Sequence, residues 1–277
     1  MSKVVQLERQ PQPSMELFTV RKVGDPLGTI CIVTRDHVNA ATLTSLIGND
    51  FGWIPKGATV DQIIIQGSVL TSQRNEAVQR MRGEWLLFID DDMVWRPEAI
   101  GRLVGRREEF DLDMVSGLCF RRGEPYQPTM YMRETPTEGG YMTREVWEPE
   151  EIVEVDATGC AFLLIHRRVF EMIAGGPMPP YAHRNREGGP PPNYFRWEGT
   201  LGEDLRFCQD AKKAGARVWV DTSIPIGHVS ERIVGALDFY GQIALRDDAS
   251  WAARKALMDT MGLQTMTAAD AREKLGW

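Results

Sequence analysis

Three consecutive aspartates close an apolar run in this sequence, and their spacing suits metal chemistry. The run from Trp85 to Ile89 has the character of a buried strand, and Asp90, Asp91 and Asp92 follow it directly. Because side chains alternate along an extended chain, Asp90 and Asp92 point to one side and can share a divalent cation, which also offsets the repulsion among the carboxylates. The same residues also fit an acidic, solvated loop before a helix that begins at Pro97.

The elements around the aspartates alternate between short strands and helices. Strands are predicted at residues 29–34, 60–65, 85–89 and 113–118, and helices at residues 40–48, 71–81 and 97–106. Strands that alternate with helices of about ten residues indicate an α/β fold, with a mostly parallel sheet flanked by helices. Ligands bind such sheets at the carboxyl ends of the strands, which is where the aspartates fall.

The pattern changes past residue 121. Residues 121–152 hold aromatics, Pro and Gly with weak alternation, which indicates a β-rich insertion. Residues 175–196 are rich in Gly and Pro, and a loop of this length in a compact domain is either functional or disordered. We expect a lid over a site. Further elements are predicted as strands at residues 160–165 and 216–220 and helices at residues 168–174, 203–214, 247–261 and 267–275.

Composition limits the class of protein. The chain has 277 residues, of which 43% are hydrophobic and 26% charged, as in an ordinary globular protein with a core. The net charge of -7 argues against a large nucleic-acid surface, because neutralising phosphates needs an excess of Lys and Arg. The sequence has no signal-like N-terminus, no apolar stretch long enough for a bilayer and four scattered cysteines, so we expect a cytoplasmic protein with reduced core thiols.

The order of motifs resembles that of the GT-A glycosyltransferases, and of glycosyltransferase family 2 in particular, over approximately residues 28–230. The motifs that carry the resemblance are Arg74-Asn75, Asp90-Asp91-Asp92, Gly159-Cys160-Ala161, Trp197, Glu203-Asp204 and His228. The resemblance implies a Rossmann-like GT-A fold and a hexosyltransferase type of activity.

The resemblance also implies a division of the chain. We expect an N-terminal arm at residues 1–27, a catalytic domain at residues 28–230 and a C-terminal helical extension at residues 231–277. Within the catalytic domain, the donor half would span about residues 28–120 and the acceptor half about residues 121–230.

The resemblance further implies a nucleotide-sugar donor whose diphosphate is bridged to the protein by Mn2+ or Mg2+. Asp92 is then the direct metal ligand, Asp90 contacts the metal or the ribose of the nucleotide, and Asp91 belongs to the same donor site. His228 completes the metal site. Physical chemistry agrees, since a divalent ion neutralises the charge that builds on a leaving diphosphate.

Asp204 matches the catalytic base of the family, which takes the proton from the acceptor hydroxyl in a single inverting displacement. Glu203 would lie beside it and contact the acceptor. Both residues also fit a structural role, because carboxylates in the first turn of a helix favour its macrodipole. Trp197 is expected to stack on a sugar face, with a core position as the alternative.

Two further positions resemble donor-site motifs of the family. Arg74 and Asn75 match an Ala-Arg-Asn turn, where a helix N-terminus could help to hold phosphate, or where they simply form an exposed first turn. Gln66 stands where the family has an acidic residue that recognises the base.

The end of the first strand also departs from the family. Thr34, Arg35 and Asp36 replace a common Pro-Thr-Tyr-Asn, with Thr34 and Asp36 as candidates for nucleotide contact and Arg35 able to reach phosphate. The identity of the donor base therefore stays open.

Aromatic residues of the two variable stretches are expected to shape the acceptor pocket. They suit a glycan, a protein side chain, a small molecule or a modified nucleobase equally well. These residues are Tyr126, Tyr131, Trp147, Tyr181, Tyr194 and Phe195.

Three other functions share some of these features. A haloacid-dehalogenase-like phosphatase would use Asp90 as nucleophile and Asp92 as acid and base, but that motif normally opens its domain. A sugar-nucleotide nucleotidyltransferase would need a glycine-rich loop after the first strand, and residues 35–39 contain no glycine. A non-catalytic nucleotide-sugar binding module would keep the metal site while Asp204 only caps a helix.

Overall fold

The computed structural model describes residues 26–133, 140–148, 150–178, 193–230 and 233–236. The predicted arm at residues 1–27 and the predicted extension at residues 231–277 lie almost entirely outside these residues, as does most of the predicted lid at residues 175–196. Among the helices that the structure describes, none has the length and apolar character needed to cross a membrane.

The described chain forms five helices and thirteen strands. The helices are α1 (Ala40–Ile47), α2 (Leu70–Arg80), α3 (Ala99–Glu109), α4 (Arg167–Ala174) and α5 (Glu203–Lys213). The strands are β1 (Thr29–Thr34), β2 (Asp61–Gln66), β3 (Trp85–Asp90), β4 (Met93–Val94), β5 (Met114–Leu118), β6 (Met130–Arg133), β7 (Tyr141–Thr143), β8 (Ile152–Val155), β9 (Ala157–Thr158), β10 (Phe162–His166), β11 (Val218–Pro225), β12 (Gly227–Val229) and β13 (Ile233–Val234).

A seven-stranded sheet of order β2-β1-β3-β10-β5-β11-β8 forms the centre of the fold. Strand β1 is parallel to β2 and β3, and β5 is parallel to β11. Strand β10 is antiparallel to both β3 and β5, so those two strands run in the same direction as each other. Five strands therefore share one direction, with only β10 and β8 reversed, and the predicted mostly parallel α/β fold is confirmed.

The sheet is buried on both faces because side chains alternate along each strand. In β3, Leu86 and Phe88 pack on the side of helices α2, α4 and α5. Trp85, Leu87 and Ile89 pack on the other side, where helix α3 contributes apolar residues. All five of these side chains are almost completely buried. Strand β3 is thus fixed on both faces, and the position of the aspartates that follow it is fixed with it.

Some boundaries differ from the predictions. The helix expected to begin at Pro97 begins at Ala99, and the carbonyl of Pro97 instead accepts a hydrogen bond from the Asp50 amide at 2.8 Å. The predicted β-rich insertion is confirmed, since β6 pairs with β7 and with β9. Strand β8, which the sequence did not indicate, begins at the last residue of that insertion and lies antiparallel to β11 at the edge of the main sheet.

A small second sheet of order β13-β12-β4 continues from the aspartates. Strand β4 follows Asp92 directly, and its pairing with β12 sets His228 opposite Met93. The amide of Val229 donates to the carbonyl of Asp92 at 2.7 Å. This backbone pairing brings His228 next to the aspartates although 136 residues separate it from Asp92 in sequence.

Candidate active site

The three aspartates lie at the carboxyl end of β3, and each carboxylate has a different partner. Asp90 Oδ1 is 3.1 Å from Nη2 of Arg74. Asp91 accepts a hydrogen bond from a hydroxyl group, and Asp92 contacts an imidazole and a guanidinium group. The sequence predicted only the alternation of their directions, whereas the structure assigns a separate environment to each.

Asp91 is held by β1 and α1. The Thr34 hydroxyl donates to Asp91 Oδ2 at 2.6 Å, and the Thr42 hydroxyl donates to the Asp91 carbonyl at 2.9 Å. The Asn39 amide donates to the same carbonyl at 2.9 Å. Thr34 itself is buried. Asp91 and Thr34, both predicted in the donor site, therefore bond to each other and fix the turn that carries Asp90 and Asp92.

Asp92 and His228 form a close pair. His228 Nε2 is 3.1 Å from Asp92 Oδ2, and its Nδ1 is 3.0 Å from the carbonyl oxygen of Phe120. Burial lowers the pKa of His228, but the hydrogen bonds with Asp92 and Phe120 more than offset this, so the pKa is raised. With an acceptor at each ring nitrogen, the imidazole is suited to carry both protons.

The donor set suits a divalent cation in part. Asp92 offers a carboxylate, and a neutral His228 would donate its Nδ1 proton to Phe120 and leave Nε2 for a metal, as metal-binding histidines do. Asp90, the third predicted ligand, points instead to Arg74. Within the described parts of the chain, no three His, Cys, Asp or Glu side chains are grouped so that they could hold a metal ion. Asp92 and His228 are thus the two predicted ligands that the structure brings together.

Arg74 is the buried centre of the site. Its Nη1 pairs with Glu203 Oε1 and its Nη2 with Asp90, while its Nε has no hydrogen-bond partner in the described part of the chain. Burial opposes the positive charge, but Cys160, Asp90, Glu203 and Asp204 together raise the pKa of the guanidinium, so it stays protonated. A buried arginine shared by two carboxylates couples β3 to the start of α5.

The prediction that Arg74 and Asn75 open a helix is wrong. Helix α2 begins at Leu70, so both residues lie one turn inside it and not at its N-terminus. The Arg74 guanidinium is already bound to two carboxylates, and the phosphate interpretation based on a helix N-terminus has no structural support.

Asn75 holds the segment at residues 193–195. Its Nδ2 donates to the carbonyl of Phe195 at 2.7 Å and to Oδ1 of Asn193 at 2.7 Å, and its Oδ1 accepts from the Phe195 amide at 3.1 Å. These bonds join residues that lie up to 120 positions apart in sequence. The side chain predicted to contact the donor therefore positions a protein segment instead.

Asp204 lies in the first turn of α5, next to the N-cap Gly202. Its Oδ1 accepts the Leu205 amide at 2.8 Å. Burial raises the pKa of Asp204 to about 6, and Arg74 offsets part of that rise. A Cβ at Gly202 would lie 2.8 Å from Asp204 Oδ1, so a glycine here leaves room for the carboxylate. The result is a carboxyl group that changes charge near neutral pH.

Glu203 differs from its neighbour. Its carboxylate is buried and pairs with Arg74. This side chain was predicted to contact the acceptor, but the structure turns it into the protein. Of the two acidic residues that open α5, only Asp204 keeps a carboxylate that no cationic side chain in the described residues contacts within ion-pair distance.

Exposed polar residues follow β1 and β2. The side chains of Arg35 and Asp36 are 80% and 75% exposed, and the Gln66 side chain donates to the Asp36 carbonyl at 3.0 Å. These residues stand at the same carboxyl edge of the sheet as the aspartates, and their exposure leaves them accessible to a ligand.

Aromatic residues fall into two groups. Trp147, Tyr194 and Phe195 were expected in the acceptor pocket but are buried, and Phe195 stacks on Phe207 with ring centroids 4.4 Å apart. They are core residues, and that expectation is wrong for them. Trp197, in contrast, is 64% exposed, so the core alternative for this residue is excluded.

Tyr131 and Tyr126 are both half-buried, and Tyr181 lies outside the described residues. Burial and the charge of Asp204 raise the pKa of Tyr131, which places its ring near the predicted base.

Arg122 is a site residue that sequence reasoning missed. Its Nη1 is 2.8 Å from Asp92 Oδ2. In the sequence, Arg121 and Arg122 are only a basic pair 30 residues away from Asp92, and such pairs are usually solvated.

Comparisons with known proteins bear on the segment that holds the aspartates. Residues 66–171, less than half of the chain, match the model of the family described as Glycosyl transferase family 2. No curated protein matches the sequence.

Two similar solved structures are A197 from STIV and GalNAc-T7 with UDP, GalNAc and Mn2+. The first is 18% identical, with a TM-score of 0.47, over 75% of this chain and 88% of that chain. The second is 11% identical, with a TM-score of 0.48, over 73% of this chain and 43% of that chain. The present chain thus spans less than half of the GalNAc-T7 chain.

The family match confirms the predicted resemblance over residues 66–171. Together with the α/β fold, it supports a glycosyltransferase as the class of enzyme. The same match argues against the phosphatase alternative, as does the presence of two βα units before β3.

Proposed function

We propose that this glycosyltransferase is metal-dependent and inverting, and that it transfers a hexose from a nucleotide-diphosphate donor to a hydroxyl acceptor with Asp204 as general base. The observation that carries the proposal is the state of Asp204. Burial raises its pKa to about 6, and Arg74 links its neighbour Glu203 to Asp90 at the end of β3. Arg74 thus joins the residue next to the proposed base to the proposed donor site.

The general base takes a proton from the acceptor hydroxyl as its oxygen attacks the anomeric carbon. A base works best when its pKa is close to the working pH, because it must be ionised yet basic enough to accept the proton. A pKa of about 6 meets both needs near neutrality. Glu203 is held by Arg74 and has a different role, which is to keep the first turn of α5 in place.

On the donor side, Asp92 and His228 would hold Mn2+ or Mg2+. When bound, the ion neutralises the charge that develops on the leaving diphosphate. Asp90 is proposed to contact the ribose or the metal while keeping its bond to Arg74. The exposed side chains of Arg35 and Asp36, together with Gln66, are proposed to contact the nucleotide.

On the acceptor side, the exposed ring of Trp197 is proposed to stack on a sugar face. Its position near Gly202 supports this, because a Cβ at that glycine would lie 3.9 Å from the Trp197 ring and 2.8 Å from Asp204. The acceptor class is a glycan, a protein side chain, a small molecule or a modified nucleobase. A cytoplasmic location is part of the proposal, and the four free, buried cysteines support it.

The experiment that tests this function is a thermal-shift screen of UDP-, GDP- and dTDP-sugars with and without Mn2+. A ligand that binds the folded state raises the unfolding temperature. We expect one donor to stabilise the protein only when Mn2+ is present. If none of the donors gives metal-dependent stabilisation, the proposal fails. With a donor in hand, an inverted anomeric configuration in the product is expected, and a retained one would exclude the single displacement.

A non-catalytic binding module would also pass the thermal-shift screen. Turnover separates the two functions, because a module would bind the donor without transferring or hydrolysing it. We expect slow donor hydrolysis by the unmodified protein even without an acceptor, measured as release of nucleoside diphosphate.

A further inference from the structure

Arg122 reaches from the surface into the proposed metal site. Its Nη1 lies 2.8 Å from Asp92 Oδ2, which is the same oxygen that lies 3.1 Å from His228 Nε2. The Arg122 side chain is 59% exposed, whereas that of Asp92 is 19% exposed. An exposed arginine therefore pairs with the carboxylate that the proposed function assigns to the metal.

The loop that carries Arg122 is anchored at its base. The Arg121 amide donates to the Gln127 carbonyl at 2.8 Å, and the Thr129 amide donates to the Cys119 carbonyl at 2.9 Å. Phe120 is fully buried and its carbonyl contacts His228. Because the backbone is held at both sides of the loop, the long Arg122 side chain can change position without the loop moving.

We propose that Arg122 is a counter-ion of Asp92 that a divalent cation displaces, and that the released guanidinium then binds the diphosphate of the donor. This inference rests on the proposed function. A metal at Asp92 Oδ2 and a guanidinium on the same oxygen would bring two positive charges into contact, so the two occupants exclude each other. The exchange is feasible because the Arg122 end of the pair is open to solvent, and solvent weakens an ion pair.

Once released, the Arg122 guanidinium is suited to bind phosphate. A guanidinium presents a planar set of donors that matches phosphate oxygens and binds them with charge-assisted hydrogen bonds. A donor bound through the metal would bring its diphosphate next to Asp92, within reach of the side chain that the metal has just displaced. Arg122 thus opposes binding of the metal alone and favours binding of the nucleotide once the metal is present.

The experiment compares Arg122→Gln with the matched control Arg121→Gln in the full chain. The control substitution Arg121→Gln removes the same charge from the neighbouring position. There, the Nη1 of Arg121 is 3.5 Å from Gln127 Oε1. Calorimetric titration with MnCl2 alone is followed by titration with UDP, GDP or dTDP at saturating Mn2+. Thermal unfolding checks that both variants fold.

Opposite signs are expected for the two ligands. Arg122→Gln should bind Mn2+ about two- to fivefold more tightly, since the competing ion pair is gone. It should bind the nucleoside diphosphate about tenfold more weakly, since one charge-assisted bond is lost. Arg121→Gln should resemble the unmodified protein in both titrations.

The outcomes that overturn the inference differ from those that overturn the function. If the unmodified protein binds Mn2+ and a nucleoside diphosphate but Arg122→Gln changes neither affinity, the inference alone is wrong. Equal changes in both variants would also overturn it, because they would show a general effect of net charge. If the unmodified protein binds no Mn2+, the metal-dependent function fails and the inference fails with it.

Discussion

The amino and carboxyl ends of the parallel strands form two edges of the central sheet, and both edges carry charged clusters. The two clusters are built differently. At the edge away from the site, Arg168 bonds Asp113 at 2.6 Å through Nε and Asp111 at 2.7 Å through Nη1. Asp113 also accepts the Arg217 amide at 2.9 Å. At the carboxyl edge, Asp204 has a backbone partner only among the described residues, and Asp92 has an exposed arginine. Carboxylates that are held by several hydrogen bonds stabilise the fold, whereas carboxylates with weak or missing counter-ions are available to ligands.

The two edges also treat histidine in opposite ways. Burial, with the nearby charges of Arg107 and Arg168, lowers the pKa of His166 to about 3, so this ring stays neutral. Its Nδ1 accepts the Arg168 amide at 3.2 Å and caps α4. His228 has its pKa raised by the carboxylate and carbonyl that face it. His166 is thus a structural cap at one edge, whereas His228 is paired with Asp92 at the other.

The largest expected effect is a loss of enzyme activity that occurs after substitution at one edge and not at the other. Asp204→Asn should lower the rate of sugar transfer by about 10²- to 10⁴-fold, because the amide cannot accept the proton. Asp111→Asn, at the other edge, should leave the rate unchanged. The measurement is kcat with saturating donor. Unchanged turnover in Asp204→Asn would remove the base assignment and end the functional contrast between the edges.

The next effect is on stability. Arg74→Met should destabilise the protein by about 3–5 kcal/mol, because Glu203 is left as a buried unpaired charge. Arg168→Met, whose side chain is 32% exposed, should cost about 1 kcal/mol since exposed ion pairs contribute little. Urea unfolding measures both.

A second substitution sharpens this test. Adding Glu203→Met to Arg74→Met removes the unpaired charge, so most of the lost stability should return. A double variant no more stable than Arg74→Met would show that the pair is not the cause.

Metal affinity gives a smaller contrast between the two histidines. His228→Ala should weaken Mn2+ binding by at least about tenfold, because the site loses a nitrogen ligand. His166→Ala should leave Mn2+ affinity unchanged, although it removes the cap of α4. Calorimetry at pH 7.5 compares them. Equal losses in both variants would mean that the effect on Mn2+ binding is indirect.

The smallest effect is the pH dependence that Asp204 contributes. Its pKa is raised to about 6 in the folded state, so its contribution to stability is fully present below the unfolded pKa and is lost as pH rises through about 6. Activity should rise over the same interval, since the base must be ionised. Asp204→Asn should lack this loss, so its stability relative to the unmodified protein should increase between pH 5 and pH 8. Unfolding temperatures at pH 5 and pH 8 measure this, and parallel pH curves for both proteins would exclude it.

Local patterns were enough to predict most elements and the fold class. Strand β3 is a continuous apolar run, and its burial on both faces is what such a run indicates. The antiparallel position of β10 between β3 and β5 could not be predicted, because strand order depends on long-range pairing and not on the residues of the strand itself. Strand β8 was missed for the same reason, since only its pairing with β11 makes it part of the sheet.

Most residues of the candidate site were predicted, but Arg122 and the contacts between the residues were not. Asp92 and His228 were named together, and the structure brings them together through the pairing of β4 with β12. The bond between Arg74 and Glu203 joins residues 129 positions apart, and no local pattern reports such a pair. Phe195 was placed in the pocket because it follows a Gly- and Pro-rich stretch, whereas only its stacking on Phe207 reveals that it is core.

The bonds of Asn75 set a limit for chimeric enzymes in which the acceptor-side loop is exchanged. Its amide group holds both Asn193 and Phe195, while the preceding residue, Arg74, contacts the donor-side Asp90. A transplanted loop that ends before Asn193 would keep this attachment to α2. A loop that replaces residues 193–195 would lose the bonds to Asn75. This segment would then be detached from α2, the helix whose Arg74 contacts Asp90. The position at which the loop is joined therefore decides whether its exchange also weakens binding at the proposed donor site.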